Sequence, residues 1–201
     1  YNLNAATEKN NVRFDDTYLD IINAAKINIS VGRNNITKDE MLKAIEKITH
    51  GTVVYDEKRD EFYLKSGSSK QEFNLVAEGI RKMALLWQLV KNGTLERGSV
   101  LFWDEPEANI NPAYIRIIVD MILELQRRGV QIFISTHDYM LASYFEVRKQ
   151  QGDKIIFHSL SHNSQNLCLE YENAEKFAAL KNNMIISAFN ELLNDIYDME
   201  V

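Results

Sequence analysis

The stretch Val100-Leu101-Phe102-Trp103-Asp104-Glu105-Pro106 decides how the rest of the chain reads. An apolar run ends abruptly in two adjacent carboxylates. A second apolar run, Val130-Gln131-Ile132-Phe133-Ile134-Ser135, ends in Thr136-His137-Asp138. One helix-length segment separates them. Asn111-Pro112 opens it as cap and first helical residue; Ile115, Ile118, Val119, Ile122 and Leu125 recur at helical spacing; Gly129 ends it. A strand-helix-strand unit of this kind brings both strand ends to one edge of a parallel sheet, where ligands bind in open α/β folds. The near-continuous apolar character of the first strand predicts a central strand buried on both faces. An Asp, a Glu and a His delivered to one edge are the parts needed to hold a metal ion, activate a water and sense an anion.

Working outward, residues 14–29 carry Tyr18, Ile21, Ile22, Ala25 and Ile29 at helical spacing. Thr37-Lys38-Asp39-Glu40 has the capping-box pattern, followed by Met41, Leu42, Ile45 and Ile48 on one face. Residues 53–64 read as a hairpin, Val53-Val54-Tyr55 and Phe62-Tyr63-Leu64 around a charged turn, and Ser66-Gly67-Ser68-Ser69 reads as a loop. From Asn74 to Lys91 runs the longest helical stripe, stopped by Asn92-Gly93. After His137 a helix is expected to about Lys149, then strands near 154–160 and 167–172, then helices over about 174–181 and 184–197. No repeat or low-complexity linker interrupts the chain, so residues 1–201 read as one unit: a helical segment over 1–50, the hairpin and long helix over 51–98, and the strand-end core with C-terminal elements over 99–201.

The 201 residues suffice for one domain with a real core, and the net charge of −6 argues against a wholly basic nucleic-acid-binding surface. One cysteine, Cys168, excludes an internal disulfide and fits a reducing, cytoplasmic compartment. No run is long enough to cross a bilayer.

Four apolar residues followed by Asp104-Glu105 resemble the Walker B motif of ABC-class AAA-like ATPases. The resemblance extends to Glu107-Ala108-Asn109-Ile110-Asn111-Pro112, which is similar to the D-loop of the RecF/SMC/OLD-like branch, and to Ser135-Thr136-His137, which is similar to the switch-histidine segment. Asn111 stands where that branch usually carries His. The implied fold is an α/β P-loop NTPase of ABC type, a parallel core sheet flanked by helices with a small hairpin and a helical segment. The resemblance implies ATP and Mg²⁺ as cofactors, Asp104 as the metal residue, and Glu105 and His137 as catalytic residues at the water and the γ-phosphate. It also implies Asn109, Asn111 and Thr136 as nucleotide-contacting residues.

In that family a signature segment begins a helix upstream of Walker B and meets the nucleotide of the partner subunit. The candidate here is Val76-Ala77-Glu78-Gly79-Ile80-Arg81-Lys82, with Ala77 and Gly79 as the contacting positions. Ala77 replaces the usual Ser and Glu78 the first Gly, which removes a hydroxyl and adds negative charge near phosphate. The alternatives are that Ser66-Gly67-Ser68-Ser69-Lys70, or Arg81 and Lys82, supply the anion contact, or that Gly79 is a close-packing residue in a buried helix. No G-x-x-x-x-G-K-[ST] occurs in the sequence. The resemblance therefore covers the C-terminal portion of such an ATPase, with the phosphate loop expected upstream of Tyr1 and these residues alone expected to be inactive.

The leading functional expectation is ATP binding and hydrolysis coupled to opening and closing of a head-to-tail homodimer. DNA or an effector protein would be a further partner, in DNA repair or antiphage defence, with no membrane involved. The alternative is a nucleotide-gated binding or regulatory module of a toxin-effector system that does not turn over. A third reading is a two-metal nuclease built on Asp104, Glu105 and Glu107. His158 and His162 read as surface histidines rather than zinc ligands. Arg127, Arg128, Arg148 and Lys149 read as solvated helix ends rather than a nucleic-acid patch.

Overall fold

The computed structural model describes residues 16–27, 36–162 and 169–199. Cys168 and the ends of the first expected helix lie outside these residues. The first two helices are α1, Asp16–Lys26, and α2, Ile36–Thr49. Helix α2 starts one residue before Thr37, so that threonine stands in the first turn rather than ahead of it as a cap.

The hairpin forms as read: β1, Thr52–Asp56, pairs antiparallel with β2, Glu61–Ser66, with Val54 opposite Tyr63. The expected loop at 66–69 is instead a tight turn into a further strand, β3, Ser69–Glu72, with Ser66 opposite Ser69 and Gly67 at φ 57°. Every residue of β3 is exposed, so hydrophobic alternation carried no sign of it.

The long helix is broken near its start. A 3₁₀ turn over Phe73–Leu75 precedes an extended Val76 and Ala77, and α3 runs over Glu78–Lys91. Its polar residues hold the neighbouring helices: Gln88 Nε2 donates to the Ala25 carbonyl at 2.9 Å, Asn92 Nδ2 to the Ala24 carbonyl at 2.8 Å, and Trp87 Nε1 to Glu46 Oε1 at 2.9 Å. Gln88 and Asn92 are buried, so these bonds offset the loss of water on each amide.

Strand β4, Val100–Asp104, lies parallel to β5, Gln131–Ser135, and α4, Ile115–Arg127, connects them. Helix α4 follows a 3₁₀ turn over Pro112–Tyr114, and Ile115, Ile118, Val119, Ile122 and Leu125 are all buried as the spacing predicts. The expectation that β4 is buried on both faces is corrected. Leu101, Trp103, Ile132 and Ile134 pack on the core, whereas Val100, Phe102 and Phe133 are exposed, with Phe102 at 76%. The Phe102 and Phe133 rings stack at 4.9 Å on that outer face. No described element covers it.

Helix α5, Tyr139–Arg148, leads to β6, Phe157–His162, which pairs antiparallel with β7, Leu169–Ala174. The helix expected over 174–181 is only a 3₁₀ turn at Phe177–Ala179. Phe177 is buried against Phe157 and Tyr139, and the Phe177 and Ala178 amides donate to the Glu146 carboxylate instead of entering a helix. Helix α6, Met184–Met199, ends the described chain. Among the described residues no helix is long and apolar enough to cross a membrane.

Three of the basic residues read as solvated helix ends are tied to neighbouring carboxylates. Arg127 makes a two-pronged contact with Asp153 at 2.8 and 2.6 Å, Arg128 reaches Glu124 at 3.0 Å, and Arg148 reaches Asp120 at 2.6 Å. The Arg127 guanidinium holds the buried Asp153 carboxyl below its ordinary value of 3.8. Asp153→Asn is expected to cost about 1.5–3 kcal/mol near neutral pH, the range for hydrogen bonds to charged groups. A carboxyl depressed by folding contributes stability above its unfolded value and loses it as pH falls through the folded one. The gap between wild type and Asp153→Asn in urea unfolding should therefore shrink as pH drops below about 3.8.

Candidate functional site

The parallel register delivers the carboxylates. Trp103 pairs with Ile134 and Asp104 with Ser135, so the last residue of β4 lies beside the last of β5. The Ser135 hydroxyl donates to Asp104 Oδ1. The Glu105 amide donates to the Ser135 carbonyl at 3.0 Å, which carries the ladder one residue past the strand. Glu105 then turns with φ 44°, in the left-handed region that costs a non-glycine residue on the order of 1–2 kcal/mol. Its Oε1 lies 3.1 Å from His137 Nδ1, with 42% of the Glu105 side chain and 79% of the His137 side chain exposed to an incoming ligand.

The next carboxylate faces the same strand end. Glu107 Oε1 accepts from the Thr136 hydroxyl at 2.5 Å, and Thr136 Oγ1 accepts from the Asp138 amide at 3.0 Å. Asp138 caps α5 by accepting from the Leu141 amide at 2.6 Å. Residues 104, 105 and 107 are thus linked sideways to 135, 137 and 136. Glu107 Oε2 is buried without a hydrogen-bond partner among the described residues.

Helix α3 meets the same turn from the other side. Ala77 is its N-cap, extended at ψ 142° and without a side-chain cap. Gly79 presses on Asn109: a Cβ there would sit 2.2 Å from the Asn109 carbonyl oxygen. Asn109 is itself left-handed, at φ 62°, and its Nδ2 donates to Glu78 Oε2 at 2.9 Å. Lys82 Nζ donates to the Glu105 carbonyl at 3.4 Å.

Asp104, Glu105, Thr136 and His137 therefore gather where the sequence predicts, with Ala77, Gly79 and Asn109 around the turn that follows Glu105. The Thr136 hydroxyl is engaged with Glu107 and the Asp138 amide. Asn111 acts as a cap: its Oδ1 accepts from the Ala113 amide at 3.0 Å. Gly79 has the close-packing environment that the sequence left open. The roles of Glu107 as the anchor for Thr136, and of Lys82 as a donor to the Glu105 carbonyl, were not read from the sequence. The one signal for the first was that both residues lie just past paired strand ends.

The other candidates resolve elsewhere. Lys70, in the Ser66–Lys70 segment, pairs with Asp56 at 3.6 Å and sits over the Tyr63 ring at 3.8 Å. His158 Nδ1 is 2.8 Å from the Tyr171 hydroxyl. Among the described residues no three His, Cys, Asp or Glu side chains converge as a metal-binding group. Asp104, Glu105 and Glu107 each turn to a different partner, which gives no support to a nuclease trio.

A structure described as "Structural biochemistry of ATP-driven dimerization and DNA stimulated activation of SMC ATPases" is similar at TM-score 0.50 and 11% identity, over 89% of this chain and 96% of that one. The Smc head domain with a coiled coil and joint from Pyrococcus yayanosii is similar at TM-score 0.50 and 15% identity, over 77% of this chain. This chain spans only 30% of that one. At such identities the likeness is one of fold: a mixed α/β architecture with a parallel sheet of the SMC-head kind. No curated protein matches in sequence. Residues 7–143 match the family model described as "AAA domain, putative AbiEii toxin, Type IV TA system", and the chain belongs to that AAA-type ATPase family.

Proposed function

We propose that this chain carries the hydrolytic edge of an ATPase that binds ATP with Mg²⁺ and couples hydrolysis to opening and closing of a head-to-tail dimer. The observation that carries this reading is the meeting of Asp104, Glu105 and His137 at two parallel strand ends. The donor set suits a hard cation: the exposed Asp104 carboxylate and the adjacent Ser135 hydroxyl are oxygen donors, the kind Mg²⁺ takes while retaining waters. Asp104 would hold the ion, which neutralises phosphate charge when bound.

Glu105 is the general base. The His137 imidazole orients its carboxylate, and Glu105 Oε takes a proton from a water attacking in line. His137, exposed beyond the strand, is positioned to meet the terminal phosphate. A helix carrying a phosphate loop would fit the face of Val100, Phe102 and Phe133 that the described elements leave uncovered, because packed there it would lie beside Asp104 and Ser135. Ala77, Gly79 and Asn109 form the side that faces a second subunit's nucleotide. Antiphage defence or DNA repair, in a cytoplasmic setting, is the biological context we favour.

One observation favours a second reading. Glu78 places a carboxylate at the start of α3, held by Asn109, where a helix N-terminus would otherwise attract phosphate. A nucleotide-gated regulatory module without turnover would tolerate that charge. Steady-state phosphate release by the full-length protein decides between them, and robust release eliminates the passive module.

In the same assay Glu105→Gln is expected to lower turnover by about 10²–10⁴-fold, the usual contribution of a general base, while ATP stays bound. Wild-type release by that variant would refute the assignment of the base. Glu107→Ala is expected to lower turnover about tenfold further than Glu107→Gln, because Gln still accepts from Thr136 and Ala does not. Equal rates for the two variants would remove Glu107 from the positioning of the His137 segment.

A further inference from the structure

Helix α6 is amphipathic, and only its first half is seated. Asn183 fixes its start, accepting from the Ile186 amide at 3.1 Å. Ile185 and Ile186 pack on the Phe177 and Leu180 cluster, and the Phe189 ring stacks on Tyr139 at 3.9 Å. The same stripe continues through Leu192, Leu193, Ile196 and Met199 at helical spacing. Leu192 is 54% exposed, Ile196 44% and Met199 85%. No residue of α6 is buried.

The polar side of this half carries one sign of charge. Glu191, Asp195 and Asp198 are its ionisable acids and bases, all acidic, apart from the phenol of Tyr197. Asp195 and Asp198 fall near the C-terminal end, where the helix dipole favours cations, and α6 has no basic residue in its last turn. None of the three acids has an ion-pair partner among the described residues.

We propose that the outer half of α6 docks into an apolar groove of a different protein, edged by lysine or arginine. The sign of the charge selects this occupant. A second copy of α6 would bring the same three carboxylates against these, and an anionic membrane surface would repel them. A cationic rim answers both the side-chain charges and the negative end of the helix, while the groove covers Leu192, Ile196 and Met199. The inference does not rest on the ATPase reading, because none of these residues belongs to the strand-end site.

The test uses the whole protein and two labelled synthetic helical peptides of about 18 residues with identical leucine stripes. One is flanked by lysine and the other by glutamate. Wild type is expected to bind the lysine peptide about tenfold more tightly than the glutamate peptide, as a few partly exposed ion pairs would give. Glu191→Lys, Asp195→Lys and Asp198→Lys together should reverse that order. Leu192→Asn with Ile196→Asn should lose at least tenfold in binding to the lysine peptide. These sites are exposed, so the thermal melt should be unchanged. If it falls, Met199→Asn alone replaces the pair. Four results would overturn the proposal: no binding to the lysine peptide, binding that survives the asparagine variants, a dimer that those variants dissolve, or α6-dependent sedimentation with phosphatidylglycerol vesicles.

Discussion

The hydrogen bond from the Glu105 amide to the Ser135 carbonyl holds the candidate site in register. It extends the β4–β5 ladder past the point where the apolar run ends, so both strands release their polar residues together. Side chains alternate across a strand, and a slip by one residue exchanges its faces. Here a slip would turn Asp104 toward the core occupied by Leu101, Trp103, Ile132 and Ile134, and would part Glu105 from His137. Burying an unpaired carboxylate costs several kcal/mol or forces it to take up a proton. The core that fixes the register therefore also fixes the chemistry at its edge.

Past that bond the chain is strained, and the strain has visible supports. Glu105 and Asn109 both hold left-handed backbone. Between them Pro106 is fully buried and Glu107 is bound to Thr136, so the turn cannot relax outward without breaking packed contacts. Helix α3 braces the far side through Gly79 against Asn109, Glu78 to the Asn109 amide, and Lys82 to the Glu105 carbonyl. A side chain at position 79 would drive α3 away from this turn. The glycine thus works as a spacer whose absence of a Cβ sets how near the helix start comes to the carboxylates.

What was legible in the sequence follows from where side chains carried the signal. The buried stripe of α4, its Asn-Pro start and the pairing of Val53–Tyr55 with Phe62–Leu64 were readable because periodicity reports burial. Strand β3 was not, since Ser69-Lys70-Gln71-Glu72 is exposed throughout and forms through backbone bonds to β2. The helix expected at 174–181 failed for a related reason: Phe177 is drawn into a ring cluster, and Glu146 takes the amides that a helix would direct to itself. At the site, Asp104, Glu105 and His137 were legible as strand ends. The lateral bond between Glu107 and Thr136 depends on the left-handed turn at Glu105, which no residue type there announces.

The misreading of β4 bears most on function. Its composition is that of a strand covered on two sides, and the described elements cover one. Phe102 and Phe133 stack on the open side, which removes some apolar surface from water but leaves Phe102 largely exposed. Alternation places Asp104 and Ser135 on that same open side. Any element that buries the two rings must then pass beside the carboxylate at the strand end. The sequence has no G-x-x-x-x-G-K-[ST] loop, and the described elements leave an apolar face of the sheet uncovered next to its acidic edge. One covering helix with a phosphate loop at its N-terminus would satisfy both, because the packing that hides Phe102 and Phe133 would bring its amide groups toward Asp104.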